Sequence, residues 1–447
     1  MAKKDWTESQ LEQDPSDLFR GLAGRRKKAA FLLIAIWFVI FALHSVAWGF
    51  IVIAALSAIV SIQLIRLLMA KAKKNIADIQ IDSYPFVSLL ASAKNEEAVI
   101  ESLVNQLGSL DYPADKYEIW IVDDNSTDKT SSILDGLATS YPQLKVLHRP
   151  YGSSGGKSGA LNEVFLLSQG SIIGVFDADA RIDSSLLKRV VPLFALDDIG
   201  AVQLRKSILN WDFNFLTKGQ SAEMALDSFY QLKRIASGGL GELRGNGQFV
   251  RRRALESTGG WNEETITDDL DLTIRLHLDN WKISFCLDPQ VEEEGVTSLK
   301  ALWHQRNRWA EGGYQRYLDY WRLLLSKPMG LKKKLDLFTF LLVQYIVPTA
   351  AIPDLLLSWF HHQPLLLAPL TSLIFTFSFF GMWKGLKDTT EKASSFQLLL
   401  AAVGGMIYMV HWFVIIPFIT LRISLLPKTL KWVKTSHKGE DLLELLN

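Results

Sequence analysis

Apolar residues fall in long blocks along this chain rather than being spread evenly. From Ala29 to Ala70 the only charged residue is Arg66. That block is about twice the roughly 20 residues a helical membrane span needs, so it predicts two spans over 29–70 with a turn near Ser45–Gly49. The polar segment 1–28 ends in Arg25-Arg26-Lys27-Lys28, and Lys71, Lys73 and Lys74 follow the pair. Under the positive-inside rule both flanks are cytoplasmic. A cleaved signal peptide does not fit, because the block is too long and no small-residue cleavage site follows a short core. Three more apolar segments, Leu335–Phe360, Leu365–Trp383 and Phe396–Leu426, predict about three spans over 335–426. Five spans would carry the basic tail 427–447 (Lys428, Lys431, Lys434, Lys438) to the far side. The charge rule then fails at the tail unless one segment lies in the interface.

Between these blocks, residues 76–334 are polar and mixed. Short apolar runs at Phe86–Ala93, Tyr117–Val122, Leu144–His148 and Ser171–Phe176 predict strands. Helical spacing over Ala98–Leu110, Lys129–Ala138 and Ala160–Ser168 predicts the helices between them. Strand and helix in alternation predict an α/β domain with a mainly parallel sheet, and such sheets bind ligands at the carboxyl ends of their strands.

Charge changes the picture little. Across 447 residues, 48 basic side chains balance 47 acidic ones, so no basic field points to nucleic acid. The one cysteine, Cys286, excludes an internal disulfide and any Cys-based zinc cluster, and its strand-like setting predicts a buried thiol.

Candidate chemistry gathers where two predicted strands end. Ile119–Val122 runs into Asp123-Asp124-Asn125-Ser126, and Ile172–Phe176 runs into Asp177-Ala178-Asp179. Turn formation and helix capping account for either cluster alone. Two clusters at matching edges of one sheet point further. Asp177 and Asp179 flank one residue, so a turn can aim both at a Mg²⁺ or Mn²⁺ that also holds a diphosphate. Asp123 or Asp124 suits the base or ribose of the same nucleotide. Thr267-Asp268-Asp269 opens a predicted helix; the helix dipole favours acids there, while one carboxylate is placed to take an acceptor's proton. Trp303–Trp309 combines arginines with flat rings suited to a diphosphate and a sugar. The loop Tyr151–Gly159 has Tyr151 where a phosphate-binding loop of the Walker type needs glycine, and it reads as a flexible segment delivering Lys157 to a phosphate.

Taken in order, Lys94-Asn95-Glu96-Glu97, Asp123-Asp124, Asp177-Ala178-Asp179, Thr267-Asp268-Asp269 and Gln305-Arg306-Asn307-Arg308-Trp309 resemble the motifs of family 2 glycosyltransferases with a GT-A fold, over about Ser83–Gly313. The resemblance implies that Asp124 contacts uridine and that Asp179 ligates the metal beside the UDP diphosphate. It implies that Asp269 is the general base, and that Gln305, Arg306, Arg308 and Trp309 form the QxxRW element near donor and acceptor. Asp268 stands where the family more often has Glu and keeps the charge. The Arg-Arg-Lys-Lys lead and Leu243–Phe249 are most similar to the cyanobacterial enzymes that glucosylate diacylglycerol from UDP-glucose. That implies a multi-pass protein of the cytoplasmic or thylakoid membrane, with its catalytic domain on the cytoplasmic face.

A single-sugar lipid glucosyltransferase is therefore the leading expectation, with the aromatic and basic stretch Tyr314–Leu325 holding the site at the bilayer surface. The alternative is a processive polysaccharide synthase, for which Trp359 and Trp383 would stack the polymer. A transporter or an inactive scaffold fits less well, since more than half the chain is the α/β domain and no motif carboxylate is missing.

Overall fold

In the computed structural model the described residues are 21–71, 84–327, 329–390 and 393–426. Segment 1–20, Lys73, Lys74 and the basic tail 427–447 lie outside them.

The apolar runs of the middle region become strands, and their two-residue alternation feeds two cores. In β1 (Val87–Ala93), Leu89 and Ala91 pack on one face of the sheet while Leu90 packs on the other. The partners are β2 (Tyr117–Asp123), β3 (Leu144–His148), β4 (Ile172–Phe176), β5 (Arg181–Ile182), β6 (Ile199–Ile208), β7 (Gln248–Arg251) and β8 (Lys282–Glu293). Among the described residues these form one sheet in the order β3-β2-β1-β4-β7-β6-β8-β5. The first four are mutually parallel, as predicted; β7 runs antiparallel to β4 and β6, and β5 to β8. Strand order reverses at β1, which has β2 on one side and β4 on the other, so a crevice opens at the carboxyl ends of these three strands. Cys286 of β8 is buried, and burial pushes its thiol up to about 12.

Helices α1 (Gly21–His44) and α2 (Gly49–Met69) precede the sheet, and α3 (Ile100–Gly108), α4 (Thr130–Ser140), α5 (Gly156–Leu167) and α6 (Leu186–Val190) cover it. Then come α7 (Phe215–Ala236), α8 (Arg252–Ser257), α9 (Asp268–Leu278), α10 (Leu299–Ser326), α11 (Leu331–Leu341), α12 (Val347–His361), α13 (Ala368–Thr389), α14 (Ser395–Met409) and α15 (Trp412–Leu425). Four stretches among the described residues are helical, long and apolar enough to cross a membrane: Gly24–His44, Gly49–Met69, Leu331–His361 and Ser395–Leu425. The predicted segment Leu365–Trp383 lies in α13, which ends in Lys384, Lys387 and Asp388.

Two joints tie these helices to the sheet domain. Arg25 and Lys28, predicted only as a basic flank, dock on α10: Arg25 donates to the Asp319 carboxylate at 2.6–3.0 Å, and Lys28 to the Leu318 carbonyl at 2.6 Å. Helix α7, polar enough by sequence to belong wholly to the soluble part, packs along α13 and α14. A β-carbon at Gly385 of α13 would collide with the Ala225 carbonyl, so glycine permits that approach. The Tyr314–Leu325 stretch does not form a surface belt: Tyr314, Arg316, Tyr317 and Tyr320 are buried, and Trp321 is exposed.

Candidate active site

Asp123 and Asp124 leave the end of β2 in opposite directions, as successive strand residues must. Asp123 is buried; its carboxylate accepts from the Ser126 amide at 3.0 Å, the Ser131 hydroxyl at 2.5 Å and the His148 ring at 2.9 Å. Burial alone would raise its pKa, but these hydrogen bonds outweigh burial and hold it below the usual carboxylate value. Asp124 instead borders the crevice, braced by Arg149 at 2.6 Å and with Lys94 at 3.7 Å. Of the pair, Asp124 is the one that faces the crevice.

Lys157 does not sit on a loose loop. Gly155, at φ +80°, caps a helix that begins at Gly156, so Lys157 rides the first turn of α5. Its ammonium lies 2.5 Å from Asp177 Oδ1 at the end of β4. Burial pushes Asp177 up, but Lys157 and, further off, Lys206 and Arg308 hold it below its ordinary value. Lys157 is in turn raised against the effect of its burial by Asp177 and Asp268. Gly156, Lys157 and Ser153 all border the crevice, which gives it a helix N-terminus as well as a cation. Asp179 borders the same crevice and accepts from the Glu294 amide at 3.3 Å. Among the described residues no three His, Cys, Asp or Glu side chains converge as a metal cage. A pair of hard oxygen donors on an open crevice fits a Mg²⁺ or Mn²⁺ whose other ligands come from a diphosphate and water.

Across the crevice, α9 opens with Asp268 and Asp269. Asp269 Oδ1 accepts from the Leu270 amide at 2.8 Å. Burial and the neighbouring Asp268 charge push Asp269 up to about 6, with that amide, Lys157 and Arg244 pulling the other way. A carboxyl titrating near neutrality in a crevice is suited to collecting a proton. Its partner wall is the loop before β7, where Asn246 Oδ1 accepts from the Asp177 amide at 3.2 Å and Gly245, at φ +82°, lets the backbone pass Asp269.

The QxxRW element falls on α10, and helical spacing divides it. Gln305, Arg308 and Trp309 are i, i+3 and i+4 on one face, and all three border the crevice. Arg306 points away: its guanidinium donates to Glu223 of α7 at 2.5 Å and to the Tyr408 hydroxyl of α14 at 2.9 Å, and stacks on Trp309 at 3.9 Å. Arg306, expected among the donor-binding residues, instead fastens three helices together. Glycine lets α10 come this close, since a β-carbon at Gly312 would collide with Thr267 ahead of α9, and one at Gly313 with Tyr345.

Several lining residues were not singled out from sequence. Lys206 of β6 pairs with Glu293 of β8 at 2.6 Å and lies 5.5 Å from the Trp309 ring. Arg244 reaches Asp227 of α7 at 2.7 Å and Glu242 at 2.6 Å. Arg244 did stand inside a stretch noted for its resemblance, whereas Lys206 and Glu293 carry no local signal.

Asp124, Lys157, Asp177, Asp179, Asp269, Arg308 and the other lining groups border one cavity of about 650 Å³, which Asp123 and Arg306 do not reach. Its far half is walled by Leu64 and Leu67 of α2, Thr339 and Phe340 of α11, Ile374 and Phe377 of α13, and the residues after α11.

A mainly parallel sheet with paired carboxylates at its switch point, a helix N-terminus on the crevice and a raised carboxyl opposite is the layout of a GT-A-type glycosyltransferase. Residues 85–312 match the model of the family described as "Glycosyltransferase like family 2", and the chain belongs to that family. The "Beta-monoglucosyldiacylglycerol synthase" of Synechocystis sp. is 56% identical over 100% of this chain and 95% of its own. The protein of the same name from Nostoc sp. is 54% identical over 97% of this chain and 93% of its own. Among solved structures, the mannosyltransferase PcManGT from Pyrobaculum calidifontis, in complex with GDP-Man and Mn²⁺, shares the fold. Its TM-score is 0.54 at 21% identity, covering 84% of this chain and 99% of that one.

Proposed function

We propose that this protein transfers glucose from UDP-glucose to the free hydroxyl of 1,2-diacylglycerol, inverting the anomeric carbon and making monoglucosyldiacylglycerol. The observation that carries the acceptor class is the cavity, which joins charged groups on the sheet edge to a wall of helices where Leu64, Leu67, Phe340, Ile374 and Phe377 stand beside Tyr230, Arg234 and Asp336. A water-soluble donor fits beside the first and a membrane-dissolved acceptor beside the second. The names of the cyanobacterial relatives supply the sugar and the lipid. Neither Trp359 nor Trp383 borders the cavity, so the polymer-stacking alternative has no support there.

In this mechanism Asp124 holds the nucleoside, and Lys157, Arg308 and the α5 N-terminus hold the diphosphate. Asp269 takes the proton of the lipid hydroxyl as its oxygen bonds to the anomeric carbon. The bond from that carbon to the diphosphate oxygen breaks on the opposite side, and UDP leaves with the electron pair. Asp179 and Asp177 would hold Mg²⁺ or Mn²⁺, which supplies further neutralisation of the departing diphosphate. Gln305 and Trp309 flank the sugar.

The same proposal places the sheet domain at the cytoplasmic face with four crossings, α1, α2, α11–α12 and α13. At the outer level, His44 ending α1 meets Asp354 of α12 at 2.8 Å, and Asp354 caps the Leu366 and Leu367 amides before α13. At the inner level, Lys233 of α7 donates to the Leu68 and Ala70 carbonyls ending α2, while Lys384 and Asp388 ending α13 bear on its charge. Helix α14 lies along α7 and α15 along α10, so this proposal puts both in the interface, although Ser395–Leu425 is long and apolar enough to cross. It gives the fourth crossing to α13, whose two ends meet α12 and α7. An even count leaves the end of α15 on the cytoplasmic side, where the charge rule favours basic flanks.

Membranes containing the protein, Mg²⁺, labelled UDP-glucose and dioleoylglycerol should yield label in a small neutral glycolipid. Label held in an insoluble, glycosidase-sensitive polymer would overturn the acceptor, and transfer only from another UDP-sugar would overturn the donor.

A further inference from the structure

Resting on the lipid acceptor proposed above, we infer that Gln344 recognises the ester carbonyl of that lipid and selects acyl esters over ethers. Leu342–Ile346, between α11 and α12, is a single π-helical turn. Here Val343, Gln344 and Tyr345 all border the cavity, one turn after Thr339 and Phe340. The wider turn brings Gln344 to the chamber, and insertions of this kind recur at functional sites.

The setting makes that placement informative. Leu64, Leu67, Ile374 and Phe377 border the same chamber, and the Gln344 amide has no hydrogen-bond partner among the described residues. Gln344 is half-buried on the cavity wall, which Tyr230, Arg234 and Asp336 also border, so its amide is open to a polar group of the occupant. A primary amide offers two N–H donors and one carbonyl acceptor. In diacylglycerol the carbon next to the reacting hydroxymethyl carries an ester, whose carbonyl can take one of those N–H donors. Its direction is fixed by its neighbour: the Tyr345 ring packs edge-on against Tyr314 of α10 at 4.5 Å, with its hydroxyl above Gly313. Helix α10 also carries Gln305, Arg308 and Trp309, so the turn that aims Gln344 is seated on the helix that borders the donor half.

The test compares dioleoylglycerol with its dioleyl ether, which keeps the chains and hydroxyl but lacks both carbonyls. The purified full-length protein in mixed micelles should use the ester about fivefold better in kcat/KM, the worth of one neutral hydrogen bond. Gln344→Leu should lose that preference by raising KM for the ester alone, with the ether rate and KM for UDP-glucose unchanged. Gln344→Asn, a shorter amide, should keep part of it. An ester preference that survives in Gln344→Leu, or an equal loss for both lipids, would overturn the inference while leaving the acceptor class intact. Failure of the unmodified protein to use either lipid would remove the proposed function and this inference with it.

Discussion

At the scale of single residues, adjacent carboxylates are assigned opposite fates by simple geometry. Asp123 and Asp124 differ because successive side chains point to opposite faces, so one shapes the turn and the other borders the crevice. The residue types named the pair without choosing within it, and only the resemblance pointed to Asp124, since the choice depends on which face His148 and Ser131 cover. Asp269 was legible from its motif, while its raised value comes from burial and Asp268 together. Two outcomes follow from that value. A base must be ionised, so kcat/KM should fall as pH drops through about 6, and Asp269→Asn should cost about 10²–10⁴-fold in kcat while leaving UDP affinity near normal. A carboxyl raised on folding is destabilising when ionised, a cost present above pH 6 and lost as pH falls through it. Asp269→Asn should therefore stabilise the protein at pH 8 by roughly 1–3 kcal/mol, with the gain fading toward pH 4 in thermal unfolding. Near-normal turnover in that variant would remove the base assignment.

At the scale of elements, α10 shows what a linear motif conceals. Written in a row, Gln305, Arg306, Arg308 and Trp309 look like one binding group; wound into a helix, Arg306 turns about 100° away from Gln305. Removing the Arg306 guanidinium leaves Glu223 buried without its cation, although Trp412 still donates to it at 2.9 Å. Arg306→Ala should lose about 3–5 kcal/mol of stability, seen as faster inactivation in detergent, with KM for UDP-glucose of the surviving protein little changed. Gln305→Ala should do the reverse, keeping stability and losing turnover; a large KM change for UDP-glucose in Arg306→Ala would return that arginine to the donor site. The parallel strands β1, β2 and β4 were legible because burial on both faces makes them nearly continuous apolar runs. Helix α5 was predicted to start at Ala160 and starts at Gly156, because the glycines that lower helix propensity also supply the left-handed cap. The pairing of Lys206 with Glu293 was not legible, since β6 and β8 are joined only by tertiary contact.

At the scale of the whole molecule, the sheet domain and the helices share their binding space. The helix-walled end of the cavity is built from α2, α11 and α13, and α1 is locked to α10 through Arg25 and Asp319. An isolated piece spanning residues 84–327 should therefore bind UDP-glucose weakly at best and transfer nothing to lipid, although it holds every motif carboxylate. Lipid transfer at the full-length rate by that piece would show that the helices do not shape the acceptor site.

On the proposed function, one end of the cavity would meet water and the other the bilayer, and this changes what concentration means for the enzyme. UDP-glucose is counted per litre of water, but diacylglycerol would reach the bilayer end as a fraction of the lipids around α2 and α13. Adding inert phospholipid at constant total diacylglycerol should slow the reaction in proportion to the lowered mole fraction. Adding buffer to the same vesicles at constant UDP-glucose should leave turnover per enzyme unchanged. The bilayer's composition, more than the amount of acceptor in the cell, would then set the rate of glycolipid synthesis.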